Sequence, residues 1–217
     1  MKSKLLMIMS VLLISVSVFS QNIRVNGYGG GVFDDKVDSY FDNSNYYNGT
    51  IKGGFQWGAG IELLPHSQQG FEILYLRQDT KAPITYYSGG IKNTNFDLGV
   101  NYIMIASNHY FRKAGSKLEG FAGGMIGADI MNLKNPDNGR TSSKTKFAWG
   151  LRGGLNIWAT PNFGIKLQAQ LLSAVQSVGG GFYFGTGGVG TGLSGYSSMY
   201  QFGLGGGVVF NIPHQKK

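Results

Sequence analysis

The chain has 217 residues, no cysteine and a formal net charge of +8. The lack of cysteine excludes a disulfide framework and a lipid-modified N-terminal cysteine, so the fold must hold by backbone pairing and burial. Glycine accounts for 36 residues, far above the typical share of about 7%. Because these glycines show no triplet period they exclude collagen, and they are typical of crowded barrel interiors and sharp bends.

The N-terminus has the three-part pattern of a secretory signal peptide. Lys2 and Lys4 precede an apolar run from Leu5 to Phe19, which at about 15 residues is shorter than the roughly 20 that a spanning helix needs. We therefore predict that 1–20 is a cleaved signal peptide and that 21–217 forms a single domain. Cleavage removes two lysines and no acids, leaving 17 basic and 11 acidic groups, or +6. A basic exported chain points to anionic surfaces as partners and not to nucleic acid.

Eight later segments alternate between apolar residues and polar or very small ones. The fourth is the clearest, since Phe96, Leu98, Val100 and Tyr102 alternate with polar or tiny residues that include Asp97. This two-faced pattern is the signature of a transmembrane β-barrel, and no other apolar stretch reaches helical spanning length. We predict an all-β fold, an eight-stranded antiparallel up-and-down transmembrane barrel. Its strands are expected near 22–33, 51–63, 70–79, 93–106, 117–131, 146–158, 163–176 and 198–212.

The lengths of the connections predict the orientation of this barrel. Links after even-numbered strands are short, at 65–69, 107–116 and 160–162. Links after odd-numbered strands are longer, at 34–50, 80–92, 132–145 and 177–197. Because outer-membrane barrels have short periplasmic turns and long extracellular loops, the long links are expected to face the cell exterior.

The signal peptide, the eight two-faced strands over 22–212 and the aromatic Phe210 in the last strand carry a family resemblance. Together they resemble the small eight-stranded outer-membrane barrels of the OmpA transmembrane-domain and OmpX type. The resemblance implies residence in the bacterial outer membrane. One departure is the tail, because Asn211–Lys217 follow Phe210 where that family often ends on an aromatic residue read by the assembly machinery.

The alternation predicts that ten charged side chains, five of each sign, point into the lumen. They are Arg24, Lys52, Glu62, Glu72, Asp97, Glu119, Asp129, Lys146, Arg152 and Lys166. On the same prediction, Phe96, Leu98, Val100 and Tyr102 face lipid. The interior of an eight-stranded barrel is just wide enough for side chains to fill, so we expect a polar, side-chain-filled lumen.

The sequence indicates no catalytic, cofactor or metal site. Enzymes on lipid A need a serine or histidine arrangement near the outer leaflet, but the predicted topology puts His66, His109 and His214 at the periplasmic side. The string Gly185–Gly190 satisfies the dinucleotide fingerprint, yet a strand follows it instead of a helix. The acids of the first loop fit no calcium-loop spacing.

Two sets of loop residues are candidates for contact with partners. Cations at the height of lipopolysaccharide phosphates contribute to binding an anionic surface; the candidates are Arg77, Lys81, Lys92, Lys134, Arg140 and Lys144. The uncharged, glycine-rich fourth loop is either a flexible extracellular loop or a docking element for a partner protein, since exposed aromatics are a liability unless covered. Its aromatic residues are Phe182, Tyr183, Phe184 and Tyr196.

These observations favour a non-enzymatic outer-membrane barrel, acting in envelope structure or as a membrane-embedded subunit of an outer-membrane complex. Its expected partners are outer-membrane lipid, lipopolysaccharide and other outer-membrane proteins. Small residues on the predicted outer face would permit close lateral packing; they are Gly53, Ala59, Gly120, Ala122, Gly124 and Gly153. A lipid A-modifying enzyme and a narrow passive pore stay as alternatives.

Overall fold

A computed structural model describes residues 22–40, 46–87, 90–175, 181–185, 188–192 and 199–213. The predicted signal peptide and His214 lie outside the described residues and stay predictions. A search of the described residues for a helix long and apolar enough to cross a membrane finds none.

The described residues form twelve β-strands. They are β1 (Asn22–Val32), β2 (Asp35–Tyr40), β3 (Tyr46–Ile51), β4 (Gly54–His66), β5 (Gln69–Tyr87), β6 (Ile91–Arg112), β7 (Leu118–Lys134), β8 (Thr141–Trp158), β9 (Phe163–Val175), β10 (Gly181–Gly185), β11 (Gly188–Gly192) and β12 (Met199–Ile212).

Eight of these strands close into an antiparallel ring in the order β1, β12, β9, β8, β7, β6, β5, β4 and back to β1. The eight predicted strands are therefore confirmed. Closure gives the ring no free edge, so the backbone groups of the wall pair with neighbouring strands, as a hydrocarbon environment requires. The narrow ring also brings backbones close together. A Cβ on Gly207 would lie 1.8 Å from the carbonyl oxygen of Gly27, so only glycine fits there.

All four predicted long loops contain more strand than the sequence suggested. In the segment 132–145, β7 runs to Lys134 and β8 begins at Thr141. The segment 34–50 holds β2 and most of β3, and Gly49 of β3 pairs with Ile84 of β5. The predicted loop 80–92 is a continuation of β5 and β6, which are 19 and 22 residues long. Part of the segment 177–197 forms the hairpin of β10 and β11. At ~3.4 Å per residue, β5 and β6 are longer than the roughly 30 Å hydrocarbon thickness of a bilayer.

The outer wall of the ring is apolar over the part that we call the membrane zone. Trp57 packs edge-on against Tyr75 near the extracellular end of this zone, and Phe163 packs at a tilt against Phe210 near its periplasmic end. Exposed apolar side chains between these aromatics would face hydrocarbon, as predicted for β4, β8, β9 and β12. They include Ile61, Leu63, Ile73, Ile103, Ile105, Ile126, Leu151, Leu155, Ile165, Leu167, Leu204 and Val208.

One register row marks the upper limit of the membrane zone. Arg77 pairs with Asn101, Asn101 with Ile130, and Ile130 with Thr145. We call this row the boundary row. The parts of β5 to β8 beyond it, together with β2 and β3, form the extracellular zone.

The face assignment for the fourth predicted strand is wrong. Phe96, Leu98, Val100 and Tyr102 are at most 4% exposed and face the barrel interior, whereas Asp97 lies on the outer wall. Their stretch of β6 lies in the extracellular zone or just below it, where water and not lipid surrounds the wall. The outer face is therefore polar there, and the apolar residues collect inside.

Candidate functional sites: the lumen plug and the outer wall

The periplasmic end of the lumen is filled by buried charged side chains that we call the lumen plug. Its members are Arg24, Glu62, Glu72, Glu119, Arg152 and Lys166. They project inward from β1, β4, β5, β7, β8 and β9. Because the strands alternate, each of these six side chains points into the lumen, where it meets side chains from other strands of the ring.

Arg24 and Glu119 form the first ion pair of the plug. Nη2 of Arg24 donates to Oε1 of Glu119 at 3.0 Å, and Nη1 lies 3.0 Å from Oε2. Asn156 and Trp158 donate to the same carboxylate at 2.9 and 3.3 Å. The guanidinium also lies 4.6 Å from the ring centroid of Tyr110. Both charges are thus desolvated but paired and hydrogen-bonded, the condition under which buried charges persist.

Arg152 and Glu72 form the second ion pair, in direct contact and fully buried. Nε of Arg152 donates to Asn108 at 3.0 Å, and Nη1 donates to the Tyr28 hydroxyl at 3.2 Å. Tyr28 in turn donates to Glu72, as does Asn26 at 2.9 Å. This pair therefore ties β1, β5, β6 and β8 together across the lumen.

The two remaining plug charges have neutral partners. Glu62 accepts hydrogen bonds from Asn108 at 2.7 Å and from Tyr110 at 2.6 Å. Nζ of Lys166 lies 4.9 Å from the Phe121 ring centroid and 5.3 Å from that of Tyr28. Aromatic faces attract such a cation by their quadrupole.

Of the ten predicted lumen charges, the structure buries eight inside the barrel. Asp129 and Lys146 are cross-strand neighbours above the plug. Lys52 and Asp97 are the two exceptions. The side chain of Lys52 is 51% exposed and pairs with Asp34 at 2.9 Å, because residues 52 and 53 interrupt the strand between β3 and β4 and shift the alternation.

Above the plug the interior changes character. Glutamines form the next layer: Gln170 donates to Gln56 at 2.5 Å, and Gln201 donates to Gln78 at 2.9 Å and accepts from Tyr102 at 3.0 Å. Higher still the lumen is filled by buried apolar side chains. They include Ala82, Ile84, Phe96, Leu98, Val100, Met131 and Leu133. The expected polar lumen therefore applies only to its periplasmic part.

On the outside, polar side chains on β5, β6 and β7 form what we call the outer-wall cluster. Its members are Arg77, Asp79, Lys81, Asp97, Asn101 and Lys134. Oδ1 of Asn101 accepts from the Tyr75 hydroxyl at 2.7 Å and from Nη1 of Arg77 at 3.1 Å. Arg77 also donates twice to Asp79, at 2.7 and 2.9 Å. Its guanidinium is thus held in one orientation next to the aromatic pair of Trp57 and Tyr75.

Asp97 lies between two lysines of this cluster. Lys81 donates to it at 2.8 Å, and Lys134 is its cross-strand neighbour on β7. The hydrogen bond from Lys81, helped by the charges of both lysines, holds the pKa of Asp97 below its ordinary value. In the same way, the hydrogen bond from Lys52 lowers the pKa of Asp34.

The structure does not bring all six predicted lipopolysaccharide residues to one surface. Arg77, Lys81 and Lys134 share the outer wall. Arg140 is exposed in the turn between β7 and β8. Lys92 and Lys144 occupy positions on the inward-facing side of their strands, and Lys144 pairs with the buried Met131.

Several other predicted residues have a definite place. His66 ends β4 and His109 lies on the outer wall of β6, both exposed near the periplasmic end. In the fourth loop, the side chains of Phe182, Tyr183 and Phe184 and the whole of Tyr196 lie outside the described residues. The backbone of the hairpin is described: β10 contacts β5, and β11 contacts β8.

Sequence reasoning missed the neutral members of the plug. Tyr28 is buried in the lumen and hydrogen-bonded to Glu72, and Tyr110 bridges Glu62 and Arg24. For Tyr28 the alternation was the available signal, because it has the same inward parity as the predicted lumen charge Arg24. Tyr110 lies in the predicted turn 107–116, outside every predicted strand, so no strand alternation was available for it.

No protein-family model and no curated protein matches this sequence. Solved structures with the same fold do exist. The crystal structure of Neisserial surface protein A has a TM-score of 0.54 and 14% identity, covering 89% of this chain and 98% of that one. The crystal structure of the outer membrane protein OprG from Pseudomonas aeruginosa has a TM-score of 0.62 and 10% identity, covering 90% of this chain and 97% of that one. The solid-state NMR structure of outer membrane protein AlkL has a TM-score of 0.51 and 11% identity, covering 93% and 95%.

At these identities the likeness shows the fold and no particular activity. The fold is that of small outer-membrane β-barrels, in agreement with the predicted resemblance. The apolar wall of the membrane zone is the surface that such a membrane-spanning fold presents to hydrocarbon.

Proposed function

We propose that this protein is a non-enzymatic barrel of the cell envelope whose outer wall binds the phosphate region of lipopolysaccharide. The outer-wall cluster is the observation that supports the proposal. Arg77 and Lys81 on β5 and Lys134 on β7 face outward on either side of β6. Arg77 lies next above the aromatic pair of Trp57 and Tyr75, and Lys81 and Lys134 flank Asp97 four residues farther from the membrane zone. Aromatic rings of this kind sit at the membrane–water interface, which supports contact of Arg77 with the outer-leaflet phosphates and of Lys81 and Lys134 with anionic groups farther from the membrane.

The arrangement of Arg77 favours binding over chance exposure. Asn101, Tyr75 and Asp79 fix its side chain, so little conformational entropy remains to be lost when a phosphate binds. A guanidinium is also suited to bidentate contact with phosphate. With Asp79 and Asp97 included, the cluster has one net positive charge, and each cation near an anionic surface contributes about 1 kcal/mol.

The closed lumen supports a function on the outside of the barrel. The plug ties the wall together at the periplasmic end, and apolar side chains fill the extracellular end. A passive pore is therefore the weaker alternative. A lipid A-modifying enzyme is also weaker, because His66 and His109 lie at the end of the barrel farthest from the outer leaflet.

A pair of matched triple variants tests the lipopolysaccharide proposal. In the test variant, Arg77→Gln, Lys81→Gln and Lys134→Gln remove three cations from the outer wall. In the control, Lys36→Gln, Lys92→Gln and Lys144→Gln remove three cations from the same end but not from that wall. We expect the test variant alone to lose affinity for purified lipopolysaccharide and to sensitise cells to detergent. Equal losses in both variants, or none in either at equal expression, would contradict the proposal.

A second candidate is docking of a partner protein at the fourth loop, with the barrel serving as a subunit of an outer-membrane complex. It is favoured by the hairpin of β10 and β11, which contacts β5 and β8 at the extracellular mouth. Affinity isolation from gently solubilised membranes tests it with the variant Phe182→Ala, Tyr183→Ala and Phe184→Ala. We expect a stoichiometric partner with the native chain and its loss with the variant. Recovery of the barrel alone in both preparations would contradict docking.

A further inference from the structure

The periplasmic turn between β6 and β7 carries a cationic surface. Arg112, Lys113 and Lys117 are all exposed there. Nε of Arg112 donates to the carbonyl of Ser116 at 3.3 Å, and its guanidinium lies 5.8 Å from the ring centroid of Trp158. Within the described part of the chain, none of the three cations has a carboxylate at salt-bridge distance.

The acidic residues are distributed in the opposite way. Glu62, Glu72 and Glu119 are buried inside the barrel. The carboxylates with described side chains that reach the surface all lie at the extracellular end; they are Asp34, Asp35, Asp79, Asp97 and Asp137. The described surface at the periplasmic end therefore has cations and no exposed carboxylates to offset them, so it would attract anionic lipid head groups.

A groove of about 510 Å³ lies in the apolar wall on the same side of the barrel. It is lined by residues that include Phe71, Ile105, Ser107, Gly124, Trp149 and Leu151. A Cβ built on Gly124 would come no closer than 4.0 Å to another atom, so the fold itself would accept a larger residue there. Glycine weakens a strand, and here its smallness keeps the groove open.

Small outward-facing residues connect the turn to the groove. On β7 they are Gly120, Ala122 and Gly124, which pair with Phe111, His109 and Ser107 of β6. Arg112 and Ser107 are five residues apart, or about 17 Å at ~3.4 Å per residue. That distance is close to half of the roughly 30 Å hydrocarbon thickness. A lipid whose head group lies at the turn therefore has its acyl chain at the depth of the groove.

We propose that this turn and groove together bind an anionic phospholipid of the periplasmic leaflet. Arg112, Lys113 and Lys117 contact the phosphate, and one acyl chain follows the small residues into the groove. The groove suits a hydrocarbon chain better than an extended protein segment, whose backbone would need hydrogen-bond partners. Its only lining hydroxyl, on Ser107, already accepts from Gln69 at 2.7 Å.

Trp149 lines the groove and reports on the acyl chain directly. For this measurement Trp57 is replaced by Phe. Trp149 is then the only tryptophan that faces lipid, since Trp158 is buried in the lumen. The protein is placed in phosphatidylcholine vesicles with increasing brominated phosphatidylglycerol or, separately, brominated phosphatidylcholine. We expect half-maximal quenching at a much lower fraction of phosphatidylglycerol, by about fivefold for each cation. Equal quenching curves for the two lipids would overturn the proposal.

Two matched pairs of variants separate the head-group contact from the groove. Arg112→Gln, Lys113→Gln and Lys117→Gln together should abolish the preference for phosphatidylglycerol. The control Lys36→Gln, Lys52→Gln and Lys92→Gln, which removes equal charge at the far end, should keep it. Equal loss in both would mean a general effect of net charge and would overturn the head-group assignment.

The second pair concerns the groove. Gly124→Leu should fill it and weaken quenching of Trp149 by brominated phosphatidylglycerol. Gly31→Leu makes the same change at another outward glycine, whose added Cβ would meet no atom within 4 Å, and it should have no effect. Unchanged quenching with Gly124→Leu, in protein shown to be folded by its heat-modifiable mobility on gels, would overturn the acyl-chain assignment. Lipopolysaccharide is absent from these vesicles, so the outcome is independent of the outer-wall proposal.

Discussion

The membrane zone and the extracellular zone are built from the same strands but have opposite polarity. Along β6, Ile103 and Ile105 face outward below the boundary row, while Asn108 faces the lumen. Above that row Asp97 faces outward and Leu98 faces inward. The strand alternates without interruption, so its backbone does not cause the exchange. The medium around the wall decides which face is apolar.

The physical reason is the same in both zones. In the membrane zone the outside is hydrocarbon, so polar groups are retained only inside, where the plug pairs them. In the extracellular zone the outside is water, and apolar groups gain by collecting on the concave inner side of the sheet. On β6 the outer face therefore changes from apolar to polar at the boundary row, while the inner face stays apolar below that row as far as Ala106.

The largest expected effect comes from breaking a charge pair inside the lumen. Arg152→Leu leaves Glu72 buried without its cation and should lower the free energy of unfolding by about 3–5 kcal/mol. Arg77→Leu removes an arginine from an exposed pair on the outer wall and should cost ~1 kcal/mol or less. Denaturant titration in phospholipid vesicles measures both. Similar losses would show that the two zones do not differ as described.

The next effect tests the outer wall of a single strand. Ile105→Lys places a charge in hydrocarbon and should cost about 2–4 kcal/mol. Asn95→Lys, on the same face of β6 but in the extracellular zone, should be nearly neutral because Asn95 is exposed to water. The same titrations compare these two variants. A cost at Asn95 as large as that at Ile105 would move the membrane boundary above the boundary row.

The smallest effect concerns the exposed pair of Lys81 and Asp97, and it depends on pH. The folded state lowers the pKa of Asp97 through the hydrogen bond from Lys81, so the pair stabilises the fold above the ordinary carboxyl pKa of about 3.9. That contribution disappears as the pH falls through the lower, folded-state pKa. Asp97→Asn should therefore be slightly less stable than the native chain near neutral pH and equally stable in acid. A difference that grows in acid would contradict the pairing.

The sequence was sufficient to predict the fold wherever a strand lies mainly in the membrane zone. In β8, for example, Leu151 and Leu155 face outward and Arg152 faces inward, as their alternation indicated. Short and long connections predict the orientation. The inward and outward faces of the strands in the extracellular zone could not be predicted in this way. Their alternation is equally regular, and it does not show whether lipid or water surrounds the outer face.

The candidate sites were predicted less completely for related reasons. Lys52 was misplaced because an irregular step between two strands shifts the alternation, and nothing in the local sequence marks that step. Lys92 and Lys144 were assigned by loop position alone, which does not specify the face of a strand. The groove beside Gly124 is lined by four neighbouring strands, β5 to β8, so its shape was not readable from any one of them.

Single-cysteine labelling of β6 tests the reversal of polarity most directly, because the chain contains no native cysteine. Asp97→Cys, Leu98→Cys and Ile105→Cys are made separately and treated in intact cells with a membrane-impermeant maleimide. We predict rapid labelling at position 97 only. Separately, a fluorophore attached to the cysteine of Ile105→Cys before reconstitution should be quenched by a lipid-soluble nitroxide. Labelling at position 98 but not 97 would restore the original face assignment and contradict the account.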